Sequence, residues 1–175
     1  MKRLIAATAI VATGLSVSAA KADDDMVFVG HLMDITGPTG FIGKFYADGV
    51  RDALSYINTH GGIDGVVLDS ESIDYAYKVP QAIANYKKWR SRNQMVAMQG
   101  WGTGDTEALI SFVAKDKVPV YSASYSGHLT DPTGKNPKTP TPAPYNFFYC
   151  SSYSDSFRSL FHCSSDDWKP SCCTC

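Results

Sequence analysis

"MVAMQGWGTGDTEALISFVAKDKVPVYSAS", residues 95–124, decides the fold, because it holds a strand, a turn, a helix and a second strand in one short run. Met95 to Gln99 is apolar, as a strand buried on both faces should be. Thr106 to Lys115 repeats apolar residues at helical spacing, with Leu109, Phe112 and Val113 facing inward. "VPVYSAS", residues 118–124, reads as the next strand. A helix between two strands carries the chain back to its starting end, so the two strands run parallel.

The same alternation extends toward the N-terminus. "MVFVGHLM" (26–33) reads as a strand, and Val50, Ala53, Leu54 and Ile57 then mark a helix that "HGG" at 60–62 stops. "GVVLDSESID" (65–74) is a second strand. "VPQAIANYKKWR" (79–90) is a helix with Pro80 in its first turn and Ala82, Tyr86 and Trp89 along one side. The order is βαβαβαβ, which predicts an α/β fold: an open parallel sheet with helices on both faces.

Toward the C-terminus the pattern loosens. "GHLTDPTGKNPKTPTPAP" (127–144) is rich in Pro and Thr and is expected to lack regular structure. "YNFFYC" (145–150) predicts a short strand, and "SDSFRSLF" (154–161) the start of a helix capped by Ser154 or Asp155.

The first 22 residues have early cations at Lys2 and Arg3, an apolar run from Leu4 to about Val17, and small residues at Ala20 and Ala22. This predicts a secretory signal peptide cut after Ala22, hence an exported chain; the apolar run is too short to span a bilayer. Cleavage would remove Lys2, Arg3 and Lys21, taking the 16 cations against 17 anions to 13 against 17. A net charge near −4 argues against nucleic acid or an anionic membrane as partner. All five cysteines (150, 163, 172, 173 and 175) fall in the last 26 residues, so residues 23–149 fold without a disulfide. The spacing of these cysteines and His162 fits no common zinc finger, and neither metal nor cofactor is expected.

In an open parallel sheet, ligands sit beyond the carboxyl ends of the strands. Three loops fall there: "TGPTGFIG" (36–43), "GWGTGD" (100–105) and "SASYS" (122–126). The Walker pattern fails, since Phe45 follows Gly43-Lys44. The dinucleotide pattern fails too, since Gly100, Gly102 and Gly104 run G-x-G-x-G into Asp105, which would repel a pyrophosphate. A smaller anion or amide suits better. Thr103, Ser122, Ser124 and Ser126 offer neutral hydroxyls, and the glycines let N–H groups approach at the positive end of a helix. Against this stands a purely structural role, with Gly104 or Asp105 capping the helix and the serines satisfying turn backbone.

Taken together, "VGHLMDITGPTGFIGKFYADGVRDALSYINTHGGIDG", "IDYAYKVPQAIANY", "GWGTGDTEALISFVAKDKVPVYSASYSGHLTDP" and "PYNFFY" resemble the periplasmic solute-binding proteins of branched-chain amino acid and amide ABC importers. The resemblance covers about Val27 to Arg158. It implies an exported, non-enzymatic module that takes an amino acid or amide as ligand and has the membrane permease subunits of an importer as partners. It implies that residues 23–158 form the first ligand-binding lobe of a type I periplasmic binding protein. In that lobe Thr103 would supply a hydroxyl to the ligand's carboxylate, Ser124 a carbonyl, and Ser126 a second hydroxyl and an N–H. Gly102 and Tyr125, their loop neighbours, complete the expected seat.

Two departures bear on the ligand's side chain. Ile42 stands where the family often has an aromatic, and a cysteine pair that some relatives bridge is absent, with Ala76 and Trp101 in that vicinity. Trp101 could serve as a wall instead. Residues 159–175 depart further, as an irregular Cys-rich tail that a shift of reading frame would explain, and the family's second lobe is not expected here. The competing reading is a secreted serine hydrolase acting on small esters or amides through Ser126, although "SYSGH" lacks the first glycine of a nucleophile elbow.

Overall fold

The computed structural model describes residues 26–92, 95–135, 137 and 141–165, with side chains as far as Phe161. The expected signal peptide and the last ten residues lie outside the described residues.

Five strands form one sheet: β1 (Val27–Met33), β2 (Leu68–Asp74), β3 (Met95–Gly100), β4 (Val120–Ser122) and β5 (Asn146–Phe148). Their spatial order is β2-β1-β3-β4-β5 and every pairing is parallel. The helices are α1 (Gly40–Thr59), α2 (Val79–Arg92), α3 (Thr103–Asp116) and α4 (Tyr153–Ser165). The step from β1 to β2 runs opposite to the steps from β2 to β3 and β3 to β4. Right-handed crossovers therefore put α1 on one face and α2 with α3 on the other. Contacts between α2 and α3 agree: the Tyr86 hydroxyl donates to Asp116 Oδ2 at 2.9 Å, and Arg90 Nε lies 3.4 Å from the same oxygen.

The main core lies between the sheet and the α2–α3 pair. Leu32, Trp89, Met98, Leu109, Val113 and Val120 are all buried there. A second cluster joins Ile110 of α3 to Leu129 and Ala143, with Phe148 against it, and so ties the long loop back to the sheet.

Several boundaries differ from expectation for local reasons. α1 starts at Gly40, ten residues before the first periodic apolar position. The buried Asp34 carboxylate accepts the N–H groups of Gly37 at 2.7 Å and Thr39 at 2.8 Å, which shapes the turn that feeds the helix. α3 starts at Thr103 rather than Thr106, so the glycine loop shrinks to Trp101 and Gly102. The loop expected to be irregular opens with a 3₁₀ turn, Gly127–Thr130, that buries Leu129. At α4 the cap is neither Ser154 nor Asp155 but Ser152. Its hydroxyl accepts from the Asp155 N–H at 3.2 Å while the Asp155 carboxylate accepts from the Ser152 N–H at 3.2 Å, a reciprocal pair. This helix runs to Ser165, so residues 159–165 are helical rather than irregular.

Candidate functional site

The order β2-β1-β3-β4-β5 reverses direction between β1 and β3, and the loops leaving those two strands diverge there. At that edge the first turn of α3 meets the segment after β4. Thr103 Oγ1 shares hydrogen bonds with Ser124 Oγ at 2.9 Å and Ser126 Oγ at 3.2 Å. The three hydroxyls named from the sequence are thus brought together, with Ser124 buried and Thr103 and Ser126 partly open.

These hydroxyls continue a chain that begins deeper in the protein. Thr106 Oγ1 donates to the Gly102 carbonyl at 2.6 Å and shares a 2.7 Å bond with Ser122 Oγ. Ser122 Oγ accepts the Ser124 N–H at 3.0 Å, and Ser124 Oγ accepts the Ser126 N–H at 3.3 Å. Each hydroxyl has one proton to give. With Thr106 committed to Gly102, Ser122 donates to Thr106, and the two bonds among Thr103, Ser124 and Ser126 use two of their three hydroxyl protons. One hydroxyl proton of that trio is left uncommitted by these bonds.

The backbone donors expected to meet an anion are spent inside the protein. The N–H groups of Trp101 and Gly102 donate to the two oxygens of Asp105, at 3.2 and 2.8 Å. Asp105 is fully buried and also accepts from the Tyr75 hydroxyl at 2.7 Å. Burial pushes its carboxyl above the usual range, against the pull of these three donors. Asp105 therefore caps α3 from within its first turn, as the structural alternative had it, while Gly104 lies inside the helix.

The next donor, Thr103 N–H, goes to the Tyr77 hydroxyl at 3.2 Å. Sequence reasoning missed Tyr77. It reaches α3 because Ala76 and Tyr77 both adopt left-handed backbone, with φ of 49° and 56°, and no glycine marks that turn. Gly102 is required beneath it, since a Cβ there would lie 2.3 Å from the Tyr77 hydroxyl oxygen.

The remaining expected residues divide. Trp101 is 9 % exposed; its Nε1 donates to Thr39 Oγ1 at 2.8 Å and its ring packs on Tyr46 at 5.0 Å between centroids. Ile42 is 55 % exposed on the first turn of α1. Tyr125 is 40 % exposed and packs its ring on Tyr153. Tyr125 and Ser126 line one wall of an open cleft of about 900 Å³, whose other wall is the start of α4 with Ser152, Asp155 and Arg158; the other candidates do not line it. Ser126 Oγ is bonded to a threonine rather than to an imidazole. Among the described residues no group of three His, Cys, Asp or Glu side chains could hold a metal ion.

Residues 26–169 match the family model described as "Periplasmic binding protein". No curated protein sequence matches. Among solved structures, an ABC transporter substrate-binding protein from Aeropyrum pernix is 35 % identical with a TM-score of 0.68, covering 81 % of this chain and 35 % of its own. A branched-chain amino acid ABC transporter protein from Thermus thermophilus with bound valine has a TM-score of 0.69 at 22 % identity, covering 79 % and 34 %. The branched-chain amino acid transporter substrate-binding protein LivJ from Streptococcus pneumoniae, in complex with isoleucine, has a TM-score of 0.62 at 22 % identity, covering 73 % and 34 %. At that identity the last two show a shared fold. The chain spans about a third of the length of these solved structures.

Proposed function

The chain belongs to the periplasmic binding protein family, whose members include ABC transporter substrate-binding proteins, and from that premise we propose that it is a solute-binding component of an ABC importer. Its ligand is a small molecule with a carboxylate or amide end, an amino acid or an amide. It works in the periplasm after export and hands its ligand to the importer's membrane permease subunits. Residues 23–158 are its first ligand-binding lobe. It carries out no catalysis.

The observation that supports this reading is the hydroxyl cluster at this edge. Its buried donors are satisfied internally, and Thr103, Ser124 and Ser126 together keep one hydroxyl proton that their mutual bonds do not use. Such a seat fits an acceptor oxygen, as a carboxylate or amide provides. Isoleucine and valine, found in the S. pneumoniae and T. thermophilus proteins, carry such a carboxylate. Thr103 and Ser126 are partly open to water in this lobe, so each hydrogen bond contributes only about 0.5–1.5 kcal/mol and binding to the lobe is millimolar.

Thermal-shift titration with L-valine, L-isoleucine and acetamide tests the proposal. At about ten times Kd, stabilisation of about 1.4 kcal/mol is expected. Thr103→Ala and Ser126→Ala, read in the same titration, should each cut it by about half. Full stabilisation retained in both variants would sink the assignment.

A further inference from the structure

Tyr77 holds a position that a bound anion would compete for. At the start of α3 the N–H groups of Trp101, Gly102 and Thr103 follow one another, and a carboxylate at this edge would draw on them for its second oxygen. All three are taken. Asp105 accepts the first two, at 3.2 and 2.8 Å, and the Tyr77 hydroxyl accepts the third at 3.2 Å. In the facing loop the Ser124 N–H goes to Ser122 Oγ at 3.0 Å and the Ser126 N–H to Ser124 Oγ at 3.3 Å.

Tyr77 is built into this place. Its left-handed backbone aims it at α3, and its ring stacks on Tyr75, with centroids 5.9 Å apart, which is itself bonded to Asp105. Gly102 leaves the room that the hydroxyl fills. Burial raises the pKa of the phenol, with the Thr103 and Gly104 N–H groups pulling the other way, so at neutral pH the oxygen on Thr103 belongs to an uncharged hydroxyl. Of the groups named, only hydroxyls keep a proton. The bonds among Thr103, Ser124 and Ser126 leave one, and Tyr77, which accepts from Thr103, gives its own to no partner among the described residues.

We propose that Tyr77 sets the ligand class of this seat: by holding the Thr103 N–H it turns the seat away from carboxylates and toward neutral amides. This rests on Thr103, Ser124 and Ser126 being the ligand seat, as proposed for the function, and narrows the ligand to one of two classes. Two uncharged donors match a single amide carbonyl oxygen, which has two lone pairs. A carboxylate presents two oxygens with about four lone-pair sites, so one oxygen would go without a donor. It would also bring a charge, which costs far more to desolvate than an amide does. An amide carries N–H donors of its own for the remaining lone pairs of the hydroxyl cluster, and a carboxylate carries none.

Acetamide and acetate have the same shape and differ in charge and in the second oxygen. Titrating the chain with each at fixed pH and ionic strength, and following the ¹⁵N–¹H shifts of Thr103 and Ser126, gives the two dissociation constants. Acetamide should bind the wild type about five-fold or more tightly than acetate. Tyr77→Phe keeps the ring and releases the Thr103 N–H, so that preference should shrink about three-fold through a gain in acetate affinity. A purely structural loss weakens both compounds alike and leaves the ratio where it was. Equal binding or tighter acetate in the wild type would overturn the proposal, and this result needs no variant to fold. An unchanged ratio in Tyr77→Phe would overturn it too. Both of those results leave the seat standing, whereas no shift at Thr103 or Ser126 with either compound removes the seat and the proposal with it.

Discussion

Tyr75 donates its hydroxyl to Asp105 Oδ1 at 2.7 Å, joining the turn after β2 to the first turn of α3 at a fully buried point. The hydroxyl seat rests on this junction, because the same carboxylate holds the N–H groups of Trp101 and Gly102 immediately before Thr103. Asp105→Ala would strand two backbone donors and a phenol away from water. A loss of about 2–4 kcal/mol in urea unfolding is expected, against about 1–2 kcal/mol for Tyr75→Phe, which removes a single donor. Equal small effects from both would mean the junction is not shared.

Trp89 packs flat on β1 where Gly30 has no side chain. A Cβ at Gly30 would lie 2.5 Å from Trp89 Cε3, well inside contact distance. Gly30→Ala should therefore cost about 1–3 kcal/mol by overpacking and should red-shift the tryptophan emission as the ring is displaced. Unchanged emission and stability would show that α2 gives way without cost.

His31 is 4 % exposed on β1, and neither ring nitrogen has a hydrogen-bond partner among the described residues. Burial lowers its pKa from 6.5 to about 4. The folded chain keeps the imidazole neutral while the unfolded chain takes up a proton below pH 6.5. Its contribution to stability is thus complete above pH 6.5 and is lost as pH falls toward 4, by about 3 kcal/mol in all. Asp74 and Glu71, with lowered pKa values, add losses of the same sign, so the His31→Leu variant isolates the histidine. Urea midpoints at pH 7.5 and 4.5 should differ less in His31→Leu than in the wild type. Parallel pH dependence would assign the acid sensitivity to the carboxylates alone.

The strand and helix order was legible because its signals are local. The apolar runs at 26–33 and 95–99 and the spacing of Ala82, Tyr86 and Trp89 need no knowledge of distant partners. The hydroxyls of Thr103, Ser124 and Ser126 were legible as a group because the parallel sheet sends both of their loops to one edge. Tyr77 was not, since its bond to Thr103 spans 26 residues and depends on a left-handed turn at Ala76 and Tyr77 that favours other residue types. Nor was the internal use of the α3 donors. Whether Asp105 faced a ligand or its own backbone depended on burial, which spacing does not encode. The early start of α1 was hidden for a similar reason, because the glycines of "TGPTG" read as a loop until Asp34 is seen to fix them.

The central claim is that the hydroxyl cluster of Thr103, Ser124 and Ser126 gives its one uncommitted proton to a ligand's carboxylate or amide oxygen. Mapping backbone and hydroxyl-bearing residues by ¹⁵N–¹H NMR during titration of the chain with L-valine and acetamide tests it most directly. The account predicts shifts that saturate in the millimolar range, centred on Thr103, Ser124 and Ser126, and that need several-fold more ligand in Thr103→Ala. Shifts confined to residues away from this edge, or identical shifts in Thr103→Ala, would contradict it.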